Sequence, residues 1–274
     1  MALNLGKIQA ERTYQMVARS IEEEILSGRV PPGESLPSEE KLAVQLGVNR
    51  STVREALRVL EQHGLVRREP GRKKLLASIP RHSEISKPLS AAMILHQVTF
   101  EELWQAMHAL EPATAAVAAT KVTPALLASL DTNLQATRKA IADADSNGLV
   151  ALDIEFHNLI AEASQNRAIQ LARQPLSEFF YPAFYAVMTR LNAGERLLVA
   201  HEHIVNALKN HDVRDATSWM DKHIADFQRG FELANLDITQ PVARREENGD
   251  VRPFRDAPAA GAEPAANEPR VELA

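Results

Sequence analysis

The sequence predicts a mainly α-helical protein in two parts: two short helices with a small β-hairpin near the N-terminus, then an all-α antiparallel helical bundle. Three observations predict it. Between Ser38 and Gly64, two apolar stripes of helical period flank a three-residue break. Directly afterwards, Leu65–Glu69 and Lys73–Ala77 are short extended runs joined by Pro70-Gly71-Arg72, a hairpin signal. From Thr99 to about Leu236 the apolar spacing is helical throughout, and no stretch alternates as a half-buried strand does.

Taken in order, Thr13 to about Ser27 carries Met16, Val17, Ile21 and Ile25 at helical spacing and is closed by Gly28. Val30-Pro31-Pro32-Gly33 must turn or extend as an arm. Ser38 is a good N-cap for a short helix through Leu42, Ala43 and Leu46 that stops at Gly47. A second helix begins near Arg50 to Thr52, with Val53, Ala56, Leu57 and Leu60 as its stripe and Gly64 as its end; Thr52 and Glu55 have capping-box spacing. With the hairpin, these elements describe a winged helix-turn-helix over residues 1–79. Residues 80–94, with Pro80 and Pro88, read as a linker or short helical lead-in. The bundle takes 95–237, with helices expected at 99–120, 124–144, 148–164, 167–191, 194–209 and 213–235. Residues 238–274 are rich in Ala, Pro, Glu and Arg, too poor in apolar surface to order themselves.

A chain of 274 residues accommodates two cores. No stretch approaches the ~18 apolar residues of a membrane span. The N-terminus does not read as a signal peptide, and the absence of cysteine excludes disulfide and thiolate chemistry. A cytoplasmic location is expected. The net charge of −5 hides an asymmetry: residues 1–82 hold 14 basic and 10 acidic side chains, the remainder 17 and 26. Residues 50–82 alone hold 9 basic and 3 acidic. Binding to DNA depends on a local basic face more than on total charge, so the N-terminal part is the candidate footprint.

The run Pro32-Gly33-Glu34-Ser35-Leu36-Pro37-Ser38-Glu39, then Leu42-Ala43, Gly47-Val48-Asn49-Arg50-Ser51-Thr52-Val53-Arg54-Glu55-Ala56-Leu57 and Leu60, closely resembles the head domain of the GntR superfamily. The resemblance implies that the second helix enters the major groove and the wing tip touches the minor groove. Arg50 and Arg54 lie one turn apart beside the apolar stripe, and arginine suits bidentate contact with guanine. Ser51 and Thr52 can donate to phosphates or bases. Gly71 allows close approach of the wing backbone, where Arg72, Lys73 and Lys74 supply charge. Two departures bear on operator sequence: Glu40 stands where family members often carry Arg, and Lys73 replaces the usual second wing glycine.

In the bundle, Asp153 and His157 share a helix face at i, i+4. His201 precedes Ile204, Val205 and Leu208 on a buried stripe, and His223 lies between Met220 and Phe227. One carboxylate and three imidazoles projecting inward from three helices suit a divalent ion such as zinc, nickel or manganese. An octahedral ion would keep two positions for water or a chelating carboxylate. This pattern is similar to the ligand domain of the FadR branch of that superfamily, the FCD domain. The resemblance implies Asp153, His157, His201 and His223 as ligands and leaves His203 outside, facing solvent or supporting the shell. Family members often place an Arg four residues before the residue matching Glu111; here Met107 stands there. Phe179, Phe180, Tyr181, Phe184, Tyr185 and Trp219 cluster in or near the helices expected to line the cavity, which allows a larger or aromatic carboxylate effector.

Together these readings predict a homodimeric, ligand-responsive repressor that grips an inverted repeat of double-stranded operator DNA and senses a small carboxylate at a metal-containing pocket, with no membrane association. The alternative is a metal-dependent enzyme using the three-His, one-Asp site; it lacks a general base, since Glu155 and Glu202 point off the ligand faces.

Overall fold

In the computed structural model, which describes residues 12–69, 71, 74–177, 179–191 and 193–242, the chain divides into two units, up to Pro88 and from Leu89 onward. The described residues form eleven helices and one two-stranded antiparallel sheet.

In the first unit, α1 (Thr13–Leu26) buries Val17, Ala18, Ile21 and Ile25. Helix α2 (Glu39–Leu46) is capped by Ser38, whose hydroxyl accepts from the Lys41 N–H at 3.3 Å; it ends at Gly47, whose φ of 64° is the left-handed conformation that a tight exit requires. Helix α3 (Arg50–Gln62) buries Val53, Ala56, Leu57 and Leu60 against α1 and α2. The expected Thr52–Glu55 capping box is absent, because the helix starts three residues earlier with Asn49 at its N-cap, so Thr52 already lies inside the first turn. Strands β1 (Val66–Arg68) and β2 (Leu75–Ala77) pair with Val66 opposite Ala77. The arm after Pro32 lies along β2: Gly33 and Leu36 donate to the Ala77 and Leu75 carbonyls, and Ala77 donates back to Glu34. That pairing anchors the hairpin to the head.

Residues 80–94, read as a linker or short helical lead-in, carry a helix. Helix α4 (His82–Leu95) runs through Pro88, and the division between the units falls inside it.

The second unit contains α5 (Phe100–Lys121), α6 (Pro124–Ala142), α7 (Ser146–Ala163), α8 (Arg167–Ser177), α9 (Phe180–Leu191), α10 (Gly194–Lys209) and α11 (Val213–Leu233). Thr99 and Glu102 form a true capping box on α5. Helix α11 packs on α5 and α10, and α6 on α7 and α10, around a core that includes Phe156, Ile160, Ile204, Leu208 and Met220. The single helix expected over 167–191 is two helices. Pro182 lies in the first turn of α9, where proline is tolerated. The tail is also not unstructured from its start: Ile238 and Gln240 accept backbone hydrogen bonds from Glu101 and Phe100, and Val242, buried, donates to Val98. Residues 243–274 lie outside the described residues.

Candidate functional site

Helical spacing builds the centre of the bundle. One turn of α7 carries Asp153 and His157 to the same buried face. Helix α10 buries His201 completely, stacked 3.6 Å from the Phe156 ring, and α11 brings His223 in beside Met220. Four atoms converge there, each within 4.8 Å of the others. His157 Nε2 lies 3.1 Å from His223 Nε2, which lies 3.3 Å from His201 Nε2. Asp153 Oδ1 stands 3.3, 3.6 and 3.8 Å from the Nε2 atoms of His201, His223 and His157. Neighbouring donors in a shell with bonds of about 2.1 Å are separated by roughly 3.0–3.4 Å, so the spacing is that of a coordination shell. The chemistry agrees, since the buried Asp153 Oδ1 accepts no well-formed hydrogen bond although three imidazole nitrogens surround it. His203, by contrast, is exposed and stacked on Trp219 at 3.8 Å, outside the cluster.

Electrostatics keep Asp153 and His201 ready for a cation and leave a proton on His157 for it to displace. Burial pushes the Asp153 carboxyl up, but the surrounding imidazoles, His157 foremost, outweigh it and hold the group well below the usual carboxylate range. Burial drives His201 down to about 3, which leaves it neutral with a lone pair to offer. His157 resists the same burial because Glu111 and Asp153 flank it, and its pKa is raised.

The role of Glu111 behind His157 is what sequence reading missed. Glu111 is fully buried on α5, takes His157 Nδ1 at 3.0 Å through one oxygen, and accepts from Arg173 Nε of α8 through the other. Arg173, also buried, donates to Asn158 Oδ1 at 2.7 Å. A carboxylate behind a ligating imidazole fixes its tautomer and aims its Nε2 at the ion. Burial works against the Glu111 charge, but His157 and Arg173 override it and lower its pKa. No local spacing links residues 111, 157 and 173; only a charged pair on otherwise apolar faces could have signalled it.

Asp153, His157 and His223 open onto a cavity whose wall includes Trp104, Met107, Phe184 and Phe227. Of the aromatic residues singled out in the sequence, Phe180 and Phe184 line it; Phe179 belongs to a separate core, and Trp219 lies elsewhere. Glu155 accepts from Asn133, and Glu202 pairs with Arg138, so neither stands beside the cluster as a base.

In the first unit, Arg50, Ser51 and Arg54 are exposed on α3, and Thr52 is half-buried. Arg54 bridges to Glu39 at 3.2 Å, and Arg50 approaches Glu40 at 3.9 Å. Gly71 sits at the hairpin tip with φ of 75° and open space around it. Arg72 and Lys73 lie outside the described residues.

A signature described as bacterial regulatory proteins, gntR family, matches residues 13–73, and one described as the FCD domain matches 102–226. The Uxu operon transcriptional regulator of Escherichia coli K12 is 30% identical over 234 residues, covering 83% of this chain and 90% of that protein. This chain belongs to the GntR family. The HTH-type transcriptional regulator LutR of Bacillus subtilis is 29% identical to this GntR-family chain over 209 residues, covering 74% of it and 94% of LutR. Among solved structures, Streptococcus agalactiae GntR aligns with a TM-score of 0.60 at 27% identity, over 79% of this chain and 99% of that one. The pairing of a GntR head with an FCD domain thus agrees with the resemblance read from the sequence. No helix among the described residues is long and apolar enough to cross a membrane.

Proposed function

We propose that this GntR-family protein is a cytoplasmic, homodimeric transcriptional repressor of the FadR branch, released from an inverted-repeat operator by a small carboxylate bound at a metal centre. The head, residues 1–79, holds the DNA-reading set: Arg50, Ser51, Thr52 and Arg54 on α3, with Gly71, Arg72 and Lys73 at the wing. The bundle, residues 95–237, holds the sensor. The observation that carries this reading is the convergence of Asp153, His157, His201 and His223 on one point at the wall of a cavity, in a chain whose other unit has the GntR signature.

Asp153 and the three imidazoles would hold zinc, nickel or manganese, a choice consistent with nitrogen-rich donors. When bound, the ion supplies positive charge at the cavity wall for a carboxylate to meet. Glu111 orients His157, and the apolar wall excludes water. Repression is the simplest output of a protein that occupies DNA until a ligand removes it.

The test uses full-length protein and a duplex selected from a random pool. Elemental analysis should find one ion per chain, and His157→Ala should lose it while keeping its circular dichroism. Arg54→Ala should reduce specific binding to the selected duplex by roughly 10–100-fold, about 1–3 kcal/mol. Unchanged gel-shift affinity for Arg54→Ala, or full metal content in His157→Ala, would sink the corresponding half of the proposal.

A further inference from the structure

Which carboxylate fits is decided by what the cavity wall still has to offer. Every polar side chain on that wall, other than those at the metal centre, already has a partner within the protein. Glu111 and Arg173 hold each other, with His157 and Asn158 as their further partners. Arg196 pairs with Asp226 near the rim. The Ser177 hydroxyl donates to the Gln174 carbonyl at 2.8 Å, and the Trp104 Nε1–H donates to the Ile224 carbonyl at 2.9 Å. The remaining wall is hydrocarbon or aromatic, including Met107, Val187, Met188 and Leu197. Three rings are grouped there: Phe227 lies 5.6 Å from Phe184, nearly parallel, and 5.5 Å from Phe180, tilted.

We infer that the effector is a monocarboxylate with an unsubstituted aromatic body, of the arylalkanoate class, its head at the metal centre and its ring among Phe180, Phe184 and Phe227. This inference rests on the metal-anchored carboxylate proposed above and narrows it. A sugar acid would bring several hydroxyls to a wall that is mostly hydrocarbon and aromatic and whose few polar groups are engaged in internal pairs, and each buried hydroxyl left unpaired weakens binding by roughly tenfold. A dicarboxylate would bring a second charge to a wall whose buried cation, Arg173, is already paired with Glu111, and an unpaired buried charge is costlier still. The rings instead offer offset and edge contacts to another ring.

The test titrates full-length, zinc-loaded protein with 3-phenylpropanoate, 3-phenylpropan-1-ol, gluconate and glutarate. Binding is read by calorimetry and by fluorescence in a Trp219→Phe variant, where Trp104 of the cavity wall is the remaining indole. We expect 3-phenylpropanoate to bind at least about tenfold more tightly than the other three and to change Trp104 emission. Gluconate or glutarate binding as tightly, or equal binding of all four, overturns the inference while leaving the metal centre in place. The protein stripped of metal separates the two claims. Equal affinity for 3-phenylpropanoate with and without zinc would refute the metal anchor but keep the aromatic chamber. Failure to retain zinc at all would refute the earlier reading itself.

Discussion

His157 is the residue on which the bundle's chemistry turns, since its two nitrogens face different partners: Nδ1 meets Glu111, and Nε2 points into the ligand cluster. Flanked by Glu111 and Asp153, it has a raised pKa and in the metal-free protein keeps its proton above the ordinary histidine range. A cation must displace that proton, so metal affinity should strengthen about tenfold per pH unit as pH rises toward the folded-state pKa, then level off. Calorimetry in buffers of different ionisation enthalpy should detect about one proton released per ion. The metal-free protein should show the opposite sign. A raised pKa contributes stability that is full below the unfolded-state value of about 6.5 and lost as pH rises through the folded one. Urea titrations across that interval, with chelator present, would check it. Glu111→Gln removes the charge that holds both His157 and buried Arg173. We expect a loss of about 3 kcal/mol in urea denaturation and a metal affinity lower by roughly 10–100-fold. A variant with native stability and affinity would show that Glu111 is only a filler of the core.

At the scale of elements, helix ends are where local chemistry can be tested. Ser38 caps α2 and Thr99 caps α5, and both roles follow from hydroxyl side chains at the first turn of an apolar stripe. The exit of α6 is different. Ala144 takes φ of 53° in the turn to α7, where the Asp145 N–H returns to the Ala140 carbonyl, a geometry that favours glycine. Relief of left-handed strain in Ala144→Gly exceeds the added freedom of the unfolded chain, so the variant should gain about 0.5 kcal/mol in thermal or urea unfolding. A loss of stability would mean that the turn is not under strain. Elements were also where the sequence was most legible, because apolar spacing and breaker residues act within a few positions. The cap of α3 and the break between α8 and α9 were less so. Thr52 with Glu55 has the right spacing for a cap, yet Asn49 takes the N-cap position and Thr52 lies inside the first turn. The apolar stripe over 167–191 reads through the break between its two helices.

For the whole molecule, the two proposed sites lie in different units, and coupling between them is a free energy that must be reciprocal. If an effector lowers operator affinity by a given factor, operator DNA must lower effector affinity by the same factor, typically 5–150-fold. Titrating the effector with and without the selected duplex, at one salt concentration, should return the same ratio as gel shifts with and without effector. Unequal factors would show that more than two states or a second ligand is involved.

Periodicity, breaker residues and charge asymmetry along the chain determined a helix-turn-helix head with a hairpin and a helical bundle following it in sequence, and with the resemblance to the GntR superfamily they singled out the four donors at 153, 157, 201 and 223. These signals survive without coordinates because each is written in residues within a turn or two of one another. Tertiary structure alone decided that Glu111 backs His157, that Arg173 neutralises Glu111, that Trp104 and Phe227 join the cavity wall, and that residues 238–242 dock against the start of α5. Those partners are brought together by packing of helices far apart in sequence, and burial then makes each pairing obligatory, since a lone charge or polar atom in that interior would be too costly to keep.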